Sequence, residues 1–245
     1  MNFKRLGYRA GMPDQLSPGR QRRSPVTRGG RPTLNADLIA AAMLELAGRD
    51  GFRAVTMQVL AEHLEVTVRA LYRHVRDRQD VVDRAVELWM AKWPEPDLDP
   101  GDWRASFAEY CRLRRETNRA HPRALLFSLD EQVGDVRLHP RRLTAPDAFL
   151  RFLTDLGLSM PDALFVHRDL TLRLYAFALL VDYRHDIGQA VVDDSPMPRS
   201  WLDQFPDLDV PHLREAMDVS RTGPDEMFDR MVDDIAHTIT RLRER

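Results

Sequence analysis

Between positions 66 and 78, four arginines (Arg69, Arg73, Arg76 and Arg78) stand against a single acid, Asp77, with Thr67, Val68, Tyr72 and His74 among them. That mixture suits contact with a polyanion whose edges carry information. A guanidinium can take guanine through two parallel hydrogen bonds, and threonine or valine methyls can meet a thymine methyl. A phenol or an imidazole can donate to a phosphate oxygen. The plainer alternative is a three-helix packing unit with a solvated arginine face.

A second group of residues carries different chemistry. Trp103, Phe107, Tyr110 and Arg114 recur at helical spacing, and Phe149, Phe152, Phe165 and Tyr175 follow on later segments. Ligand sites are mostly apolar with a few polar anchors, so these eight could line a pocket for a small hydrophobic or drug-like molecule. The same spacing also describes an ordinary core. His121, His139, His167 and His185 form no close-spaced pair and have no cysteine beside them, so no metal site is expected. The absence of a nucleophile motif, a phosphate loop or metal spacing argues against an enzyme and against a cofactor.

The elements that must position these groups are helical throughout. Asn35 is a good N-cap, and Leu38, Ile39, Ala42, Met43 and Leu46 follow at helical spacing as far as Gly51. Thr56 caps a short second helix that buries Met57, Leu60, Ala61 and Leu64. Thr67 caps a third, with Leu71 and Val75 inward, and Asp77 caps a fourth with Val81, Val82, Ala85, Leu88 and Trp89 on its apolar side. Two short helices can cross steeply only if their contact is small, and Ala61 supplies that contact. The third helix is then held outward, where it can enter a major groove. Pro94, Pro96, Pro100 and Gly101 mark a break. Beyond it, helices are expected over residues 102–120, 144–156 (ending at Gly157), 159–187 and 224–242. Residues 188–211 read as a loop or short turns.

Charge is uneven along the 245 residues, whose net charge is only −2. Residues 1–33 hold eight basic residues and one acid, with four prolines and no apolar period. They read as a disordered basic arm, or else as a solvated tail. Residues 93–245 are acidic, with 28 acids against 20 bases. A basic arm on an acidic body still favours encounter with phosphates, because the local field decides it. Cys111 is the only cysteine, so no disulfide can form within the chain. It reads as a small core residue rather than a reactive thiol. The longest apolar run, residues 174–181, has eight residues, whereas a membrane span needs about 18 or more. With no export signal, a cytoplasmic protein without a membrane partner is expected.

The run VTMQVLAEHLEVTVRALYRHV at residues 55–75, with the helices either side of it, resembles the TetR family of bacterial regulators. The resemblance lies in the leading Thr-Met, the Leu-Ala, the Leu-Tyr-x-His-Val and the fourth helix. It implies an all-α fold. An N-terminal three-helix helix-turn-helix DNA-binding domain, residues 34–93, would precede a C-terminal helical ligand-binding and dimerisation domain, residues 94–245. It also implies roles. Thr56, Tyr72 and His74 would clamp phosphates, and Thr67, Val68 and Arg69 would face base edges; Arg73, on the exposed side of the third helix, and Arg78, at its edge, complete the expected DNA-binding set. Two positions depart from the family: Glu65 stands where glycine is usual, and Arg78 where lysine is frequent. A glycine there serves a left-handed turn, which costs another residue about 1 kcal/mol.

Farther on, GDWRA at 101–105, His121-Pro122, DLGLS at 155–159 and Phe205-Pro206 are similar to the subgroup that includes the tetracycline repressor. Phe228, Met231, Ile235, Ile239 and Leu242 form one apolar stripe. Ala163, Val166, Leu170, Leu174, Phe177 and Val181 form another. The two stripes could build a four-helix bundle in a homodimer, or pack inside one subunit. The expected partners are a double-stranded DNA operator, a second copy of the chain and the small ligand. The function implied is a repressor released from its operator by that ligand. The alternative is a DNA-binding regulator controlled by a protein partner.

Overall fold

In the computed structural model, which describes residues 33–131, 139–188, 199–219 and 222–244, the Asn35 side chain accepts the Leu38 N–H at 2.8 Å and starts α1 (Ala36–Asp50). Gly51 ends it at φ 85°, its N–H reaching Ala47 O at 2.9 Å. The expected basic arm lies outside the described residues, apart from Thr33.

A 3₁₀ turn (Phe52–Ala54) leads to α2 (Met57–His63), α3 (Val68–Leu71) and α4 (Arg78–Ala91). Next come α5 (Trp103–Ala120), a 3₁₀ segment (Pro122–Leu126), α6 (Phe127–Asp130), α7 (Arg141–Asp155) and α8 (Met160–Phe177). A π-helical turn (Ala178–Asp182) links α8 to α9 (Tyr183–Asp186). The chain continues as α10 (Arg199–Asp203), α11 (Pro211–Ala216) and α12 (Pro224–Arg243). No strand occurs among the described residues. The all-helical expectation and the expected caps therefore hold. Thr56, Thr67 and Asp77 each accept a backbone N–H three residues on. Ser159 and Asp162 form a reciprocal start of α8, with the hydroxyl donating to the carboxylate at 2.6 Å and accepting the Asp162 N–H at 3.3 Å.

Several elements differ from the sequence expectation. The predicted single helix over 159–187 is interrupted by the π turn, which places Asp182 wholly inside. There it meets Arg115 through paired hydrogen bonds of 2.7–3.2 Å. The helix expected from residue 144 starts at Arg141, because Pro140 can open a helix but cannot continue one. Within 188–211, where a loop or short turns were expected, α10 forms a five-residue helix, and 189–198 lie outside the described residues. α1 is buried around almost its whole circumference, with Ala40, Leu44 and Ala47 covered as well as Ile39, Met43 and Leu46. It packs against α4 on one side and against the Pro122–Leu126 segment on another. Gly48 permits that second contact: a Cβ there would lie 3.0 Å from the His121 Cα.

The two apolar stripes lie inside one subunit. Phe228, Ile235 and Ile239 of α12 join Ala163, Val166, Leu170, Leu174 and Phe177 of α8 in a core closed by Phe107, Tyr110 and Cys111 of α5. Helix α5 occupies the place that a partner's helix was expected to take.

Candidate nucleic-acid interface and ligand cavity

The reading face is assembled by a very small core. Leu60, Ala61, Leu71 and Val75 are buried between α2, α3 and the body. The turn between α2 and α3 closes with the Val66 N–H on Ala61 O at 2.9 Å, and Glu65 takes the left-handed conformation at φ 54°. Helix α3 has only four residues, but backbone bonds from Arg73 to Ala70 and from His74 to Leu71 carry the turn onward. Consequently Thr67, Arg69, Tyr72, Arg73 and His74 are exposed, Val68 is half-buried, and Thr56 is exposed at the start of α2. Tyr72 is 50% exposed despite its large ring. Thr56 and Thr67 accept backbone N–H groups as caps, at 3.2 Å each, so their hydroxyl hydrogens remain available for donation.

Asp80 organises the edge of this face. It accepts the Arg76 N–H at 3.1 Å and the Arg84 side chain at 3.2 Å. Burial works to raise its pKa, but the Arg76 N–H and the Arg84 and Arg76 charges outweigh it and hold the carboxyl below the usual carboxylate range. The carboxylate thus fixes Arg76 and Arg84 around an open hollow that also borders Tyr72, Arg73 and His74. The position of Arg84 was not legible in the sequence, since it lies one turn beyond Asp80 on a helix assigned to packing.

Arg78 belongs to a different contact from the one expected. Its guanidinium pairs with both Glu131 oxygens, at 2.7 and 3.0 Å, and donates to the Val55 carbonyl at 2.9 Å and to the Phe52 carbonyl. Four of its five N–H groups are taken by protein, which leaves one on Nη1 for any phosphate. It ties the start of α4 to the end of α6. At the other end of α4, Arg141 of α7 donates to the carbonyls of Ala91 and Trp93 and to Glu95. Both ends of α4 are therefore held by arginine bridges to later segments.

Between α5, α7 and α8 lies a cavity of about 210 Å³. Tyr110, Arg114, Phe149 and Tyr175 line it, as the sequence suggested. So do Trp93, Arg142 and His167, which sequence reasoning missed because they come from three separate segments. The other four expected ligand residues are elsewhere. Phe107 and Phe152 pack behind Phe149, with ring centroids 6.3 and 6.2 Å from it, and are core. Trp103 sits beneath the Arg104 and Arg243 guanidiniums. Phe165 is 56% exposed, next in sequence to the inward Val166 and therefore on a different side of α8.

The cavity's titratable groups sit in a positive field. Arg114 is buried, and its guanidinium lies 4.6 Å over the Trp93 ring. Burial, followed by the Arg114 and Arg168 charges, lowers the His167 pKa and so favours the neutral imidazole. Burial raises the pKa of both tyrosines, with Arg114 opposing. Cys111 is buried beside them and its thiol is pushed far up by burial, which fits the core role. Among the described residues no group of three His, Cys, Asp or Glu is placed to hold a metal, and no helix is long and apolar enough to cross a membrane.

Comparison with known proteins covers both regions. Residues 38–85 match the family of bacterial regulatory proteins, tetR family. Residues 95–232, more than half the chain, match the tetracyclin repressor-like C-terminal domain. The HTH-type transcriptional repressor DrrR1 of Streptomyces coeruleorubidus is 26% identical over 56% of this chain and 49% of its own length. Tetracycline repressor protein class A from transposon 1721, of Escherichia coli, is 28% identical over 80% of this chain and 86% of its own. The chain spans half or less of the length of the first curated relatives it matches. Streptomyces coelicolor ActR, solved in complex with actinorhodin, superposes with a TM-score of 0.64 at 22% identity, over 87% of this chain and all of that one. TetR from Acinetobacter baumannii AYE gives 0.55 at 22%, over 86% and 99%. These two likenesses concern the fold.

Proposed function

Because this chain belongs to the tetR family of bacterial regulatory proteins, we propose that it is a cytoplasmic, sequence-specific DNA-binding repressor that acts as a dimer and leaves its operator when a small molecule fills the α5–α7–α8 cavity. The observation that carries this reading is the exposed set Thr67, Arg69, Tyr72, Arg73 and His74, presented by a helix whose inward side is sealed by Leu71 and Val75. Arg69 is positioned to read a base edge. Thr56, Tyr72 and His74 are positioned to hold phosphates on either side.

The dimer would form on the outward face of α8. Phe165, Leu172 and Leu180 are 56, 69 and 63% exposed and recur at helical spacing. A self-complementary contact on that face, with α12 alongside, would set two reading helices on half-sites one DNA turn apart, about 34–36 Å.

Release follows from how α4 is held. A ligand that moves α7 shifts Arg141 at one end of α4, and a shift of α6 acts through Glu131 at the other. Tilting α4 changes the spacing of the reading helices. The ligand drives this only to the extent that it binds the tilted state better. The cavity favours this reading over control by a protein partner.

The test is footprinting on the DNA upstream of the chain's own gene, with the mass of the complex measured and candidate small molecules added. Two chains per site and a footprint lost on ligand addition are the expected results. A footprint that no small molecule affects would leave a DNA-binding regulator without an effector. Absence of a specific footprint on any genomic fragment would sink the proposal.

A further inference from the structure

The cavity carries an imbalance of polar groups. Arg114 is 7% exposed and rests on Trp93, and among the described residues no carboxylate is paired with it. The Arg142 Nη1 and the Trp93 Nε1 are also buried without a hydrogen-bond partner there. No aspartate or glutamate lines the cavity. The Thr171 hydroxyl donates to the His167 carbonyl at 2.8 Å. The wall thus offers two arginines and buried donors, and only neutral groups to face them. A buried cation without a partner is costly, and proteins keep one only where something else completes it.

We propose that the effector is a planar aromatic acid, whose carboxylate or acidic phenolate is received by Arg114 and Arg142 while its ring lies against Phe149 and Tyr110. This rests on the ligand-released reading above and narrows it from a hydrophobic molecule to an anion. The ring preference follows from the walls: Trp93, Tyr110, Phe149 and Tyr175 all line the cavity, and the stacked pair Tyr110 and Phe149, with centroids 5.5 Å apart, shows that aromatic rings already associate there. Size agrees, since about 210 Å³ is roughly the share of seven waters, enough for two fused rings. Two arginines meeting one carboxylate give short, charge-assisted bonds that a neutral isostere cannot form. A metal chelate is not required, because the cavity's own cations already supply the charge.

The test is calorimetric titration of the full-length protein, without DNA, with 1-hydroxy-2-naphthoate and with 1-hydroxy-2-naphthamide, which has the same shape without the charge. The acid is expected to bind on the order of tenfold or more tighter than the amide. Arg114→Gln is expected to erase that preference while far-UV helicity is kept, and Arg114→Lys to restore part of it. Equal binding of acid and amide, or no binding of either, would overturn the proposal, and this comparison stands even if Arg114→Gln does not fold. Footprinting in parallel separates the two readings. Acid binding without loss of the footprint keeps the ligand class and removes the release mechanism. An intact footprint with no acid binding removes the ligand class and keeps the DNA-binding reading.

Discussion

The reading unit and the cavity solve opposite problems with the same material. Around α2 and α3, the buried side chains Met57, Leu60, Ala61, Leu71 and Val75 are all apolar, and the arginines face out. Around the cavity, arginines face in, and space is left between α5, α7 and α8. The first arrangement has one low-energy state and suits a rigid surface that must match DNA. The second is incomplete by itself, with buried donors that lack acceptors. A region left incomplete can be changed by what enters it, whereas a region packed to completion can only be moved as a body. The α4 bridges connect the two kinds of packing.

The largest effect that would break this contrast comes from truncating its packed side. Leu71 is wholly buried and borders none of the hollows described above. Leu71→Ala should cost about 2–5 kcal/mol, near the top of that range, because the site cannot collapse. Leu174→Ala should fall near the bottom, since Leu174 already faces the cavity and loses fewer contacts. Chemical denaturation of the two variants decides it. Equal costs would mean that the cavity region is as tightly packed as the reading unit.

Next in size is the bridge at the start of α4. Arg78→Met removes the Glu131 pair and two carbonyl bonds at once, which should cost about 2–3 kcal/mol. Its more telling effect is on coupling. The variant should still bind DNA and still bind ligand, but ligand should displace it from DNA less completely. A variant that loses DNA binding and keeps normal stability would return Arg78 to the DNA surface and remove it from the coupling path.

What the sequence disclosed follows the same division. Caps, short helices and the reading face were legible because they depend on neighbours three or four residues apart, such as Thr67 with Ala70 and Asn35 with Leu38. The left-handed turn at Glu65 was expected only through the family resemblance, because a glutamate carries no local signal for it. The cavity was only half legible. Arg114 stands out on an apolar helix face, but Arg142, Trp93 and His167 join it across long chain separations. No periodicity encodes such a meeting. The second contact of Arg78 was hidden for the same reason: its partner, Glu131, is 53 positions away. The stripes of α8 and α12 were real, yet periodicity says only that a face is covered, not whether α5 or a second subunit covers it.

A smaller effect sharpens the surface side of the comparison. Arg69 is exposed and contributes to no buried contact, so Arg69→Ala should leave folding stability within about 0.5 kcal/mol. Operator affinity should fall by about 1–3 kcal/mol, with preference relaxed at one base position. Binding titrations on the operator and on single-base variants supply the readout. Equal weakening on every sequence would make Arg69 a phosphate contact and leave base reading to Thr67 and Val68.

The smallest effect concerns the one strained position in the packed unit. Glu65 holds φ at 54°, where a side chain costs about 1 kcal/mol and glycine costs nothing. Glycine is also freer in the unfolded chain, which offsets about 0.5–1 kcal/mol of any gain. Glu65→Gly should therefore stabilise the protein by less than about 1 kcal/mol, with unchanged operator affinity, because the turn already has the geometry that glycine favours. A loss of stability would show that the contacts of the Glu65 side chain outweigh its backbone strain. A change in affinity with stability held would mean that the turn, and not the α2–α3 core alone, sets the angle at which Arg69 meets the DNA.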